Sequence, residues 1–118
     1  MGIRSDVTIA LKKNVYDGLS AESKKTLSDW FEEPASKTKE GDVLFYIEDV
    51  KWYFDICDDL VALYNELEYK FDYDSFLIIQ ACQDYPQSID GDLGGWIENP
   101  WETYRTWTVG VAWEEVNV

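Results

Sequence analysis

Carboxylates are the side chains through which this sequence has most scope for chemistry. The chain of 118 residues holds 24 Asp and Glu against 10 Lys and Arg, and it holds no His. The lack of His excludes Ser-His-Asp and Cys-His activation of a nucleophile, and it excludes His-containing zinc sites. Two cysteines cannot build a four-thiolate zinc site, and no Gly-rich phosphate-binding loop occurs. We therefore expect no enzyme activity, no metal site and no cofactor.

The acidic stretch DICDDLVALYNELEYKFDYD, residues 55–74, is the main candidate for function. Its apolar spacing predicts a helix from about Asp55 to Tyr69. One face of that helix forms a core stripe, which consists of Cys57, Leu60, Val61, Tyr64 and Leu67. On the opposite face acids recur at i, i+4 and i+11, with one more beside them: Asp55, Asp59 and Glu66, and Asp58.

The spacing of these acids permits two interpretations. Acids four residues apart are separated by about 6 Å along a helix axis, and successive phosphates of a nucleic acid strand by a distance on the order of 6 to 7 Å. The face therefore has the spacing to imitate a nucleic acid strand and to meet a basic partner. The alternative is an ordinary solvated face, because acids at a helix start complement the helix dipole. Glu66 and Glu68 lie near the other end, where the dipole disfavours acids.

The segment DGDLGGWIE resembles part of a calcium-binding loop. It places Asp90, Asp92 and Glu98 at positions 1, 3 and 9 of that pattern. Position 12, where such loops need a bidentate Glu, is Trp101. We expect an acidic turn here, and ligand or metal binding in this loop stays a lesser alternative.

Tryptophans form a second pattern in the C-terminal part of the chain. Trp96 and Trp101 lie in a long loop, residues 84–102, that is rich in Gly and Pro. They are either anchors of a partner interface, where Trp is enriched, or a cover for the core. In the following segment TYRTWTVGVAW, four side chains alternate onto one face of a predicted strand: Trp107, Val109, Val111 and Trp113. We expect these four to be buried and the two loop tryptophans to be more exposed.

The remaining elements give the fold class. SDVTIALKK alternates as a half-buried strand, with Val7, Ile9 and Leu11 on one face. A helix follows over residues 14–33, which Gly18 interrupts. VLFYI and SFLIIQACQ have the continuous apolar character of buried strands. The order β-α-β-α-β-β predicts one α+β domain over residues 1–118, with a mostly antiparallel sheet, two helices on one face and a final hairpin with a long connection.

The charge is unevenly distributed along the chain. Residues 1–40 hold seven acids and seven bases, whereas residues 41–118 hold seventeen acids and three bases and carry the whole net charge of −14. Such a field repels nucleic acids and anionic membranes and attracts basic protein surfaces. Asp49 and Lys51 share the (D/E)xK spacing of metal-dependent nucleases, but this field opposes DNA. No apolar run approaches the roughly 20 residues of a membrane span, and no signal peptide is recognisable, so we expect a cytoplasmic protein.

The segments GIRSDVTIAL and VLFYIEDVKWY resemble small acidic proteins of tailed bacteriophages, over about the first 55 residues. The resemblance implies a protein that binds and inhibits host machinery such as restriction, CRISPR or DNA-repair factors. Our leading hypothesis is accordingly a non-enzymatic acidic protein that inhibits a host nucleic-acid-handling or defence protein. Its expected binding residues are the four acids of residues 55–66, together with Asp90, Asp92, Trp96, Glu98 and Trp101. The alternative is a structural or assembly module whose acidity serves only solubility.

Overall fold

Apolar periodicity and breaker residues divide the chain into short helices and strands in the computed structural model. It describes residues 4–82, 91–105 and 109–110, with side chains up to Thr103. The helices in these ranges are α1 (Lys13–Gly18), α2 (Ala21–Phe31) and α3 (Asp58–Lys70). The strands are β1 (Ser5–Leu11), β2 (Ser36–Lys37), β3 (Val43–Val50), β4 (Phe76–Cys82), β5 (Leu93–Gly94), β6 (Tyr104–Arg105) and β7 (Val109–Gly110). None of the helices described is long and apolar enough to cross a bilayer.

Five of the strands form one antiparallel sheet in the order β2-β3-β1-β4-β5. The first strand therefore lies at its centre, and Ile9 pairs with Phe45 on one side and with Ile78 on the other. One face of the sheet packs against all three helices, through a core that includes Leu27, Leu60 and further apolar side chains of these elements. The predicted α+β class, with helices on one face of an antiparallel sheet, is confirmed.

The central strand is buried on both faces, so the prediction of a half-buried β1 is wrong. Val7, Ile9 and Leu11 do share the face that meets the helices, as their spacing indicates. The other face is also closed, and its polar side chains have partners within the protein. Thr8 Oγ1 donates to the carbonyl of Phe45 at 3.1 Å, and the carboxylate of Asp6 accepts the backbone N–H of Asp49 at 3.1 Å.

The helices follow the predicted pattern with one shift. Gly18 does separate α1 from α2. The third helix begins at Asp58, whereas Asp55 lies in the preceding turn, in which the N–H of Cys57 bonds to the carbonyl of Tyr53 at 2.9 Å. The predicted helix start at residue 55 is therefore wrong. Of the predicted core stripe, Leu60, Tyr64 and Leu67 are buried together with Leu63, and Cys57 and Val61 are half-buried.

The two loop tryptophans cover the second face of the sheet. Trp96 is 8% exposed and Trp101 is fully buried. Their rings meet edge to face at 6.3 Å, and they pack on a cluster of sheet residues: Ala10, Leu44, Leu77, Ile79 and Ala81. Of the two alternatives for these tryptophans, anchors of a partner interface or a cover for the core, the second is confirmed. The physical reason is that this face of the sheet is apolar and none of the three described helices packs on it. The predicted greater exposure of these tryptophans relative to Trp107 and Trp113 concerns side chains outside the described residues.

The side chain of Asn99 holds this covering loop in shape. Its amide Nδ2 donates to the carbonyl of Trp96 at 2.9 Å, and its Oδ1 accepts the N–H of Trp101 at 3.1 Å. The indole of Trp101 donates in turn to Ser36 Oγ at 2.9 Å. These bonds satisfy the buried polar groups of the loop, which would otherwise destabilise the fold.

In the part of the chain that the structure describes, the strand pairing differs from the predicted final hairpin. On the side of β4 away from β1, the neighbouring strand is β5, with Leu77 opposite Gly94. Gly94 has φ +89°, and a Cβ there would lie 2.3 Å from the carbonyl oxygen of Phe76, so only glycine fits this contact. The strands β6 and β7 pair with each other in a separate two-stranded sheet. The predicted burial of Trp107, Val109, Val111 and Trp113 concerns side chains outside the described part of the chain.

The covering role of Trp101 predicts its contribution to stability. Trp101→Ala should lower the free energy of unfolding by about 3 to 5 kcal/mol, through lost burial and the cavity that remains. Ile97→Ala is the matched control, because Ile97 lies in the same loop and is 78% exposed. It should change the free energy of unfolding by no more than about 0.5 kcal/mol. Urea unfolding of the variants measures both, and similar losses in the two would contradict the packing described.

Candidate functional site

An acidic groove of about 290 Å³ runs between α2 and α3. The two helices are antiparallel, because Glu66 of α3 bonds to Ser20 and Ser23 at the start of α2, whereas Asp59 bonds to Trp30 near its end. Small side chains leave the space between them. The groove is lined by three hydroxyls, one methyl and four carboxylates: Ser20, Ser23 and Thr26, Ala62, and Glu22, Asp58, Asp59 and Glu66.

Glu66 closes one end of this groove by capping α2 from α3. Ser20 is the N-cap of α2, and its Oγ accepts the N–H of Ser23 at 3.1 Å. In a capping box, the residue at the position of Ser23 is a Glu or Gln whose side chain binds the N-cap N–H. Here Glu66 takes that role across the helix interface. It accepts the Ser20 N–H at 2.7 Å, the Ser20 hydroxyl at 2.7 Å and the Ser23 hydroxyl at 2.6 Å.

This environment changes the acidity of Glu66. Partial burial opposes its ionisation, since the side chain is only 15% exposed. The hydrogen bonds from Ser23 and Ser20 and the nearby Lys70 ammonium favour the charged form more strongly, and they lower the pKa of Glu66 to about 2. Lys70 Nζ lies 3.3 Å from the Glu66 carboxylate and donates to the carbonyl of Gly18 at 2.5 Å. The pair thus ties the junction of α1 and α2 to the last turns of α3.

Asp59 is exposed but has partners within the protein. Its Oδ2 accepts the indole N–H of Trp30 at 2.8 Å, and its Oδ1 lies 2.9 Å from the N–H of Leu60. Trp30 packs edge to face on the buried Trp52 with ring centroids 5.0 Å apart. Asp59 therefore orients the Trp30 side chain at the far end of the groove. Its Oδ2 atom is used for this contact.

Among the four predicted acids of residues 55–66, Asp55 and Asp58 are the two without a partner in the described part of the chain. Both are exposed, and within the described ranges neither carboxylate forms a hydrogen bond or an ion pair. Asp58 lines the groove, whereas Asp55 lies in the turn that leads to it. The predicted row at i, i+4 and i+11 is not formed, because Asp55 precedes the helix and Glu66 turns toward α2. The structure offers a compact acidic site instead of an extended row.

The loop residues predicted to bind a partner or calcium have other positions. The carboxylate of Asp92 accepts the N–H of Gln80 at 3.0 Å, so it extends the sheet edge. Glu98 is exposed, and Asp90 lies outside the described residues. Trp96 and Trp101 are buried and therefore not available as interface anchors. Across residues 4–82, 91–105 and 109–110, no group of three or more Asp, Glu, Cys or His side chains is arranged to hold a metal ion.

Some residues of the groove have no counterpart in the sequence-based prediction. Glu22, Ser23 and Thr26 lie on α2 and Ser20 is its N-cap. The prediction placed the site on the third helix and in the loop of residues 84–102. A Ser-x-x-Ser pattern at the start of α2 signals a helix cap that lacks its usual Glu or Gln. That pattern indicates a missing carboxylate, but it does not indicate which of the 24 acids supplies it.

Comparison with known proteins assigns no family, because no family model, no curated protein and no solved structure matches this chain. A functional proposal therefore rests on the charge and the geometry described above.

The capping role of Glu66 predicts a pH-dependent contribution to stability. Since its pKa is lowered from 4.5 to about 2, the carboxylate stabilises the fold fully above about pH 5 and loses this effect as the pH falls toward 2. Glu66→Gln should therefore lower the free energy of unfolding by on the order of 2 kcal/mol at pH 7. The difference from the wild type should shrink steadily between about pH 4.5 and pH 2.

Urea unfolding at several pH values measures this difference. Glu68→Gln is the matched control, because Glu68 is an exposed acid on the same helix. It should change the free energy of unfolding by no more than about 0.5 kcal/mol. A Glu66→Gln effect that stays constant from pH 7 to pH 2 would show that the carboxylate charge is not what holds α2.

Proposed function

We propose that this chain is a non-enzymatic binding protein that presents carboxylates to a basic surface of a host nucleic-acid-handling or defence protein, as an inhibitor of the bacteriophage type. The observation that carries the proposal is the pair Asp55 and Asp58, two exposed acids that have no partner among the described residues. They lie beside a groove of about 290 Å³, wide enough for a side chain. Their charges are available to a partner, whereas those of Glu66 and, in part, Asp59 are used inside the fold.

The distribution of bases supports this site as the region that attracts a partner. Lys13 pairs with Asp17 at 2.5 Å and Lys25 with Asp29 at 2.7 Å, so charges on α1 and α2 largely compensate each other. Lys70 is the single base of α3, and it is bound to Glu66 at the opposite end of that helix. The acids at the start of α3 are therefore not compensated by any base of that helix.

The groove suits a lysine or arginine side chain of the partner. Arg carries five N–H donors and no acceptor, and carboxylates on either side of a groove offer acceptors in more than one direction. Charge-assisted hydrogen bonds of this kind are about twice as strong as neutral ones. A basic groove of the partner that normally holds nucleic acid would present such side chains. The phosphates of the nucleic acid and the carboxylates of this protein would then compete for the same side chains.

Two further considerations support the inhibitor role. The resemblance of the N-terminal segments to acidic phage proteins suggests a host factor as the partner and the host cytoplasm as the location. The net charge of −14 opposes direct binding to nucleic acid or to anionic membranes. The partner is then a protein.

One observation favours the alternative, a structural or assembly module whose acidity serves solubility and internal contacts. Asp6, Asp59, Glu66 and Asp92 all accept hydrogen bonds within the fold. Part of the acidity thus has a structural use and needs no partner. The inhibitor proposal requires Asp55 and Asp58 to contact a partner, whereas the alternative does not.

A charge-reversal experiment separates the two candidates. A partner is first captured from a bacterial lysate on the immobilised wild-type protein and eluted with salt. Association with that partner is then compared for Asp55→Lys/Asp58→Lys and for a control with the same charge change, Glu40→Lys/Glu48→Lys, whose acids are exposed on the β2–β3 side. We expect the first variant to associate about tenfold more slowly, since local charge steers encounter.

Salt and nucleic acid complete the test. Association of the wild type should slow as ionic strength rises, because exposed charges are screened over about 8 Å at physiological salt. Duplex or single-stranded DNA should displace the protein from its partner. Equal slowing in both variants would mean that only net charge matters, and unchanged association in both would sink the proposal.

A further inference from the structure

A second surface, away from the helix groove, combines exposed apolar side chains with acids. Tyr73 is 64% exposed and Ile97 is 78% exposed. They belong to segments that touch, since the N–H of Gly95 bonds to the carbonyl of Tyr73 at 2.8 Å and the N–H of Ile97 bonds to the carbonyl of Gly95 at 2.8 Å. The Tyr73 ring lies directly over Gly95, where an added Cβ would come within 2.6 Å of it.

Acids surround these two apolar side chains. Asp72 and Asp74 flank Tyr73 along the chain, and Glu98 follows Ile97; all three are exposed. Within the described part of the chain, none of the three carboxylates is in an ion pair. The nearby base Lys12 lies over the Trp96 ring, with its Nζ 5.6 Å from the ring centroid. The surface is therefore apolar at its centre and negative around it.

The buried neighbours of Ile97 hold it in an outward position. Trp96 packs on the face of the sheet opposite the helices, and its backbone N–H bonds to the carbonyl of Phe76 at 3.1 Å. Asn99 is buried and bonds back to the carbonyl of Trp96. Ile97 thus projects from a short segment that is anchored on both sides. Such an arrangement is pre-organised, and a partner would lose little entropy in ordering it.

We propose that this surface, formed by Asp72, Tyr73, Asp74, Ile97 and Glu98, is a docking site for a basic protein segment that carries a large apolar side chain among its lysines or arginines. The charge identifies the occupant, because an acidic rim disfavours an acidic or nucleic acid partner and favours a basic one. Burial of the apolar centre contributes to the binding free energy, and salt does not screen this contribution as it screens the contacts between charges. The site is separate from the groove and does not depend on the function proposed for it.

A defined peptide tests this inference on the full chain. The probe is a fluorescein-labelled nonapeptide of alternating Lys and Leu, and its companion carries Ser in place of Leu. Fluorescence anisotropy at physiological salt should show that the Leu peptide binds the wild type more tightly than the Ser peptide. Ile97→Ser should weaken binding of the Leu peptide about tenfold. The matched control is Ile56→Ser, an isoleucine that is 71% exposed in the turn before α3.

The control should bind within twofold of the wild type. Backbone amide shifts in an NMR titration should change most around Tyr73 and Ile97. Equal affinity of the two peptides, or equal losses in the two isoleucine variants, would overturn the inference. Binding that is lost in Asp55→Lys/Asp58→Lys but kept in Ile97→Ser would overturn it as well, while leaving the groove as the binding site.

Discussion

The carboxylate of Glu66 fixes how the two longer helices lie against each other. It accepts the backbone N–H and the hydroxyl of the N-cap Ser20 and the hydroxyl of Ser23. The Ser20 hydroxyl in turn accepts the Ser23 N–H, one of the N–H groups that lack an acceptor at the start of a helix. Because the helices are antiparallel, this contact at one end brings Asp59 to Trp30 at the other. The groove between them, and the acids that line it, follow from that alignment. Glu66, which helical spacing assigns to the face opposite the core, thus sets the alignment that forms the candidate site.

The sheet imposes the second constraint. β1 lies at the centre of the sheet, and the described helices all pack on one face. The apolar side chains of the other face are covered by Trp96 and Trp101. Anchoring these two rings leaves the residue after the first of them, Ile97, projecting into solvent. Core packing and surface chemistry are therefore coupled in this loop. The same buried bonds that stabilise the fold determine which apolar side chain a partner could reach.

Local patterns in the sequence predict the elements but not their partners. Alternation in β1 correctly assigns Val7, Ile9 and Leu11 to one face, and helical spacing correctly buries Leu60, Tyr64 and Leu67. The burial of the other face of β1 depends on a loop about ninety residues further along the chain. No periodicity within one segment carries that information.

In the candidate site, too, local patterns predict the elements but not the contacts between distant parts of the chain. Composition and helical spacing locate the acids of α3, and Asp55 and Asp58 are exposed as that reading requires. They do not indicate that Glu66 pairs with the start of a helix 46 residues earlier. Its partner is set by tertiary packing, and the Ser-x-x-Ser cap is the one local hint. Similarly, Trp is a residue type enriched at interfaces, but in this loop both Trp side chains pack on the apolar face of the sheet instead.

The central claim is that Glu66 is an internal cap while its acidic neighbours are free to meet a partner. Its most direct test is the pKa of the Glu66 carboxyl group, measured by following the side-chain carboxyl carbon in an NMR titration of the folded protein. The structure predicts a pKa of about 2. A value near 4.3, the usual pKa of an exposed Glu, would contradict the cap and with it the alignment of helices that forms the groove.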